Sequence, residues 1–189
     1  MGVSSLILDD AELQQLASTL PDDGELPYPV RRNIRLALGE LGHDRVVSLG
    51  ESCARRVVPI WSQAYPEDSL PIEVMNDALA GTNTDLDERL GFLRSNLDSI
   101  YDPDPPFGNA FAAGMACWAV ANEAFEQETL EIDAEQEREF DPDYWPPCFY
   151  ASVAEADGAT WEDVSDNDKR ANFWRWYLLD AVPAARDGR

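Results

Sequence analysis

Apolar residues recur at spacings of three and four along nearly the whole chain, the period of helices that bury one face. Residues 9–20 place Leu13, Leu16, Ala17 and Leu20 on one stripe, with Asp9 and Glu12 spaced as a cap pair. Pro21, Gly24, Pro27 and Pro29 mark a loop, and Pro29 fits the first turn of a helix carrying Val30, Ile34, Ala37, Leu38 and Leu41, stopped by Gly42. Its other face carries Arg31, Arg32 and Arg35, which are expected to pair with nearby acids. Residues 44–65 predict a long helix with Val46, Val47, Gly50, Cys53, Val57, Trp61 and Ala64 on its stripe. Gly50 on that stripe predicts close approach of a neighbour. Pro59 falls inside the pattern and predicts a kink, and Pro66 ends the helix.

Two further helices follow. One starts at Ser69 with Ile72, Met75 and Leu79 inward and stops at Gly81; the next is capped by Thr84 and Asp85 and carries Leu86, Leu90, Leu93, Leu97 and Ile100. Residues 102–106, DPDPP, form a stiff loop between two helical halves. Residues 107–127 are apolar around most of their girth, with Phe107, Phe111, Met115, Trp118, Asn122 and Phe125 on one face, so this helix is expected at the centre. An acidic loop or helix end follows near 126–143. Trp145, Pro146 and Pro147 restart order, a short helix is expected over 148–156, and Ser165 with Asp168 caps a last helix bearing Phe173, Trp174, Tyr177, Leu178, Ala181 and Val182. No alternating strand pattern competes. The reading is an all-α, single-domain bundle over residues 1–189, with about seven to eight helices.

Charge changes this picture. The formal net charge is −23, from 37 acids and 14 bases. Residues 101–168 hold 18 of the acids and a single base, Arg138. A field this one-sided repels nucleic acid and anionic membrane and attracts basic partners. A surface kept acidic for solubility or a salty cytoplasm carries the same charge. The 44% apolar content places that charge on a folded body rather than a disordered one. No apolar run is long enough to span a bilayer and no basic leader precedes one, so a cytoplasmic location is expected. Three unclustered cysteines, Cys53, Cys117 and Cys148, predict reduced buried thiols rather than a disulfide framework.

Catalytic signatures are missing. The one histidine, His43, follows Gly42 and is expected to cap a helix terminus or face solvent. No glycine spacing matches a phosphate loop, and zinc would want several His or Cys ligands. Asp102, Asp104 or the 131–143 run offer oxygen ligands to a hard cation, but Phe107 stands where an EF-hand loop starting at Asp102 needs glycine. Neither an enzyme, nor a metal, nor a cofactor is expected.

Two stretches carry a resemblance. Residues 51–61 read ESCARRVVPIW, followed by Tyr65, Pro66, Glu67, Asp68 and Pro71; residues 170–183 read RANFWRWYLLDAVP. Together they resemble the all-α immunity proteins of bacterial polymorphic toxin systems, the fifth numbered family, over about residues 28–185, with residues 1–28 as an N-terminal helix and Pro-rich loop. The resemblance implies a cytoplasmic protein that binds and blocks a cognate toxin, without catalysis. The motif residues Cys53, Arg55, Arg56, Pro59, Trp61, Phe173, Trp174 and Trp176 are read as structural. The acidic stretch is longer and denser than the family pattern. Its Glu131, Asp133, Glu135, Glu137, Glu139, Asp141 and Asp143, with Trp145 beside them as the aromatic expected to be exposed, are the candidate partner-binding residues. Phe149, Tyr150 and Trp161 are further anchor candidates. The expected partner is a basic protein toxin, with no direct contact to nucleic acid or membrane. Mimicry of nucleic acid, or a structural role without a toxin, are the other readings.

Overall fold

A computed structural model describes residues 8–81, 84–100, 108–126 and 145–189. These form an all-helical bundle: α1 (Asp10–Ser18), α2 (Tyr28–Leu41), α3 (His43–Ala64), α4 (Leu70–Ala80), α5 (Leu86–Ile100), α6 (Asn109–Glu126), α7 (Pro147–Glu155), α8 (Asn167–Trp176) and α9 (Val182–Asp187). A π-helical turn, Tyr177–Ala181, joins α8 to α9 into one rod, so the bundle has eight helical rods among the described residues.

The expected boundaries hold closely. Asp9 accepts the Glu12 amide at 2.7 Å and caps α1. Gly81 ends α4 in a left-handed conformation. Pro59 lies inside α3 at an exposed position. The cap of α8 differs from expectation. Asp166, not Ser165, accepts the Asp168 and Lys169 amides. A carboxylate one residue later meets both free amides at once. The π turn answers Pro183, which has no amide to give and whose ring crowds the preceding turn. The Val182 amide instead reaches Tyr177, five residues back.

Helix α6 sits at the centre, packed on α3, α4, α5 and α7. Twelve of its 18 residues are buried, so it lacks the solvent face of a peripheral helix. Phe125, which the stripe placed with Phe111 and Met115, is exposed instead. Phe125 and Glu126, the last two residues of α6, both face solvent, while Glu123 in the same turn stays buried. Gly50 lets α3 meet α7 closely: a β-carbon there would stand 3.1 Å from Pro147.

All three cysteines are buried and unbridged. Burial pushes the Cys117 thiol from 9.0 up to about 12, and Cys53 well above its ordinary value. The folded protein is therefore expected to be unreactive toward Ellman's reagent at pH 8 and to release all three thiols on denaturation. The unfolded chain ionises Cys53 and Cys117 first. Their contribution to stability is thus intact below about pH 8 and falls as pH rises through 9 toward 12. Rapid labelling of any thiol in the native state would contradict the buried placement.

Candidate functional site

The Pro-rich loop 21–29 is held down from inside the bundle. Gly24, at φ 73°, rests against α8, where a β-carbon would overlap the Asn167 carbonyl and approach the Ala171 amide at 2.9 Å. Only glycine meets both the left-handed backbone and that contact. Next to it, Glu25 reaches between two guanidinium groups, Arg31 at 3.5 Å and Arg170 at 3.3 Å. The Arg170 side chain is fully buried. It donates to the Asp23 carbonyl (3.1 Å), the Gly158 carbonyl (2.8 Å) and Asn167 Oδ1 (3.0 Å). One guanidinium therefore ties three segments together: the Pro-rich loop, the turn at Gly158 and the start of α8. Burial lowers its pKa and the surrounding acids, Glu25 first, oppose that; an arginine stays charged regardless.

Arg31 is also buried. Its guanidinium lies over the Phe149 ring at 4.7 Å and the Trp174 ring at 5.2 Å. Above this floor opens a cleft of about 440 Å³, walled by Pro21, Asp23, Pro27, Tyr28 and Pro29 on one side and by Thr160 and Trp161 on the other, with Glu25, Arg31 and Phe149 also lining it. That volume falls among sites that take a small ligand or a few residues of a partner.

A second ion pair lies deeper. Arg35 of α2 pairs with Glu123 of α6, both buried. Burial alone would lower the Arg35 pKa, but Glu123 outweighs it, with Cys148 and Tyr177 adding, and the group is held above its ordinary value. The Glu123 carbonyl also bonds His43 Nε2 at 3.0 Å, so the histidine ties the start of α3 to the end of α6 rather than facing solvent. Arg31 and Arg35 had been expected on an outer face pairing with nearby acids. Arg31 does find nearby Glu25, but both arginines point inward, and the acid that meets Arg35 is 88 residues away.

Trp145 corrects a second expectation. It is 3% exposed, although it had been expected to protrude beside its prolines. Pro146 is the N-cap of α7, which puts Trp145 just before the cap and Tyr150 on the fourth helical residue. These are the positions of a hydrophobic staple. The Trp145 ring packs on Tyr150 at 5.3 Å, Phe149 at 4.9 Å and Trp161 at 6.0 Å. Phe149 and Tyr150 are buried as well, while Trp161 is half-exposed on the cleft wall. The acidic candidates Glu131, Asp133, Glu135, Glu137, Glu139, Asp141 and Asp143 lie outside the described residues, as do Asp102 and Asp104. The chain that carries the acidic run resumes in the described residues at Trp145, whose ring touches two residues of the cleft.

The two motif stretches meet in space. Arg56 of α3 forms a two-bond pair with Glu155 at 2.6 Å and stacks over Trp176 at 4.4 Å and Phe173 at 5.9 Å. Arg55 is exposed and bonds Glu51 and Asn76. Cys53, Trp61, Phe173 and Trp174 are buried; Trp61 Nε1 donates to the Asp68 carbonyl at 2.6 Å, which explains why the YPED turn accompanies the motif. Among the described residues no group of three His, Cys, Asp or Glu side chains is placed to hold a metal ion. No helix among them is long and apolar enough to cross a membrane.

The family model for immunity protein Imm5 matches residues 15–184. The chain belongs to the Imm5 immunity-protein family. The match starts inside α1, earlier than the motifs alone suggested, and so takes in the Pro-rich loop. Both cleft walls and both buried ion pairs thus belong to the Imm5 region. No curated protein matches the chain.

Glu25, Glu123 and Arg170 escaped the sequence reading. A signal existed for Glu123. Arg31, Ile34, Arg35 and Leu38 share one three-four stripe, and Glu123 is the one acid in α6 before its final residue.

Proposed function

We propose that this protein is a cytoplasmic immunity protein of a bacterial polymorphic toxin system, which binds a basic cognate toxin and neutralises it by occlusion, without catalysis. The observation that carries this reading is the Imm5 match over residues 15–184. The charge of −23 supports it. Toxins that attack nucleic acid grip phosphates with basic surfaces, and an acidic inhibitor is steered onto such a surface at up to about 10⁸–10⁹ M⁻¹s⁻¹ at low salt. Steering gives speed and selectivity, while desolvated aromatic contacts give most of the affinity. The acidic residues between Glu131 and Asp143 are the proposed steering element.

Affinity capture from the native host lysate at low and moderate salt tests the reading. One basic protein retained in equal amount at both salts is expected. Recovery of many DNA-binding proteins, or of nothing at moderate salt, would leave a nucleic-acid mimic or a merely acidic surface. With the partner in hand, reversing Glu135, Glu137, Glu139 and Asp141 to Lys is expected to slow association at least about tenfold at low salt. The melting temperature should change little. An on-rate that is equally fast across a salt series would sink the steering claim.

A further inference from the structure

We infer that the pocket between the turn 65–68 and the end of α5 seats a lysine side chain of the protein partner. The inference takes its partner from the immunity reading above and assigns a site on this chain that receives it.

This pocket holds about 170 Å³. Small-ligand sites run from about 300 to 1,000 Å³, so it has room for one side chain and not for a metabolite. Its apolar lining comes from buried Leu93 and Leu97 of α5, with half-buried Leu70 and Ile100. Tyr65 and Asp68 line it from the turn, and both are exposed. The Asp68 carbonyl is tied to the core, because it accepts the Trp61 indole N–H at 2.6 Å. Tyr65 packs on the same indole, with ring centroids 4.6 Å apart. These two contacts hold the turn in place and leave the Asp68 carboxylate over. It accepts one backbone amide, from Leu70 to Oδ1 at 2.9 Å. No arginine or lysine lines the pocket, and among the described residues none pairs with Asp68 or with exposed Glu67 beside it. In the cleft beside the Pro-rich loop, by contrast, Arg31 and Arg170 already meet the charge of Glu25.

An apolar lining with an unmet carboxylate selects the occupant. An anion would meet Asp68 and Glu67 on a protein of charge −23. An apolar side chain would cover the leucines but strip water from the carboxylate and return nothing. A lysine answers both features, laying its aliphatic stem on apolar surface and keeping its ammonium at the carboxylate. Arginine matches less well. Its planar fork pairs best with both oxygens of a carboxylate, and Oδ1 of Asp68 already holds the Leu70 amide. An ammonium is a point charge, which Oδ2 alone can meet.

The test uses n-butylammonium chloride as the probe and backbone ¹⁵N–¹H resonances as the readout. The Leu70 amide, which donates to Asp68, is the reporter, and the Gly24 amide on the Pro-rich loop is the control outside the pocket. Titration of the full chain is expected to move the Leu70 resonance along a saturating curve while Gly24 stays still. n-Butanol has the stem without the charge, and sodium chloride the charge without the stem; each should move Leu70 at least severalfold less. Asp68→Asn keeps an acceptor for the Leu70 amide and should shrink the butylammonium shift as much. A shift matched by either control, undiminished in Asp68→Asn, or absent altogether overturns the inference. Ethylguanidinium binding more tightly than butylammonium would overturn the choice of lysine. With the captured toxin, Asp68→Asn and Tyr65→Ala are each expected to weaken binding about tenfold or more. Toxin bound with wild-type affinity by both variants would overturn the pocket assignment and leave the immunity reading intact. A dimer of this chain that Tyr65→Ala breaks would give the pocket to a second copy and overturn it as well. Absence of any toxin partner would remove the immunity reading, while the butylammonium titration would still decide the pocket.

Discussion

Replacing Glu123 by alanine is expected to destabilise the fold by about 3–5 kcal/mol, because it leaves Arg35 charged and unpaired inside the bundle. Both side chains are almost fully buried, with 6% and 2% of their surface exposed. Arg35 cannot escape by losing its proton: without Glu123, burial lowers its pKa, but an arginine stays charged regardless. The bond from His43 goes to the Glu123 carbonyl and survives the change, so the loss measures the carboxylate itself. For a chain of this size each kcal/mol moves the melting temperature by about 2–4 °C, so a fall near 10 °C or more is expected. Replacing both residues by methionine should recover most of this, since a buried pair exchanged for apolar groups of similar volume is often neutral or better. Urea unfolding of the two single variants and the double variant decides it. A Glu123→Ala cost below about 1 kcal/mol would mean that water reaches Arg35, and that the pair is not the desolvated contact described here.

The buried pair also shows where sequence reading ran out. The stripes of α3, α5 and the α8–α9 rod were legible because apolar residues at three-four spacing have one physical reason to be there. Arg31 and Arg35 share the stripe with Ile34 and Leu38, yet charge argues for solvent by default. What overrides that default is an acid on another helix, and no local pattern announces a partner 88 residues away. Trp145 failed for a related reason. Its place beside two prolines suggested an exposed ring, whereas Pro146 and Pro147 begin α7 and the tryptophan folds back onto Tyr150. The cleft depends on the same hidden layer. Its walls are segments 21–29 and 158–161, brought together by Arg170, and neither segment carries a recognisable motif. The acidic run was legible as charge, which needs no geometry to be felt at a distance.

Trp61 is the second position where a large effect is expected, and Gly114 tells how to interpret it. Replacing Trp61 by alanine should cost about 3–5 kcal/mol, because it empties a packed site and removes the donor to the Asp68 carbonyl. The ring is wedged between α3 and α6. A β-carbon added to Gly114 would lie 2.9 Å from the Trp61 ring and 2.5 Å from Leu97 Cδ2. Gly114→Val alone is therefore expected to cost about 1–3 kcal/mol through overpacking, despite the helix's general preference against glycine. Leu97 can turn its terminal methyl aside, but the indole is fixed by its bond to Asp68. Most of the strain thus comes from the ring, and removing the ring should relieve it. The double variant Trp61→Ala with Gly114→Val is expected to be more stable than the sum of the single losses predicts, by about 0.5–3 kcal/mol. Strict additivity would show that the two sites do not share this space. A Trp61→Ala protein that keeps its stability but no longer holds the toxin would place the ESCARRVVPIW motif on the binding surface instead of in the core.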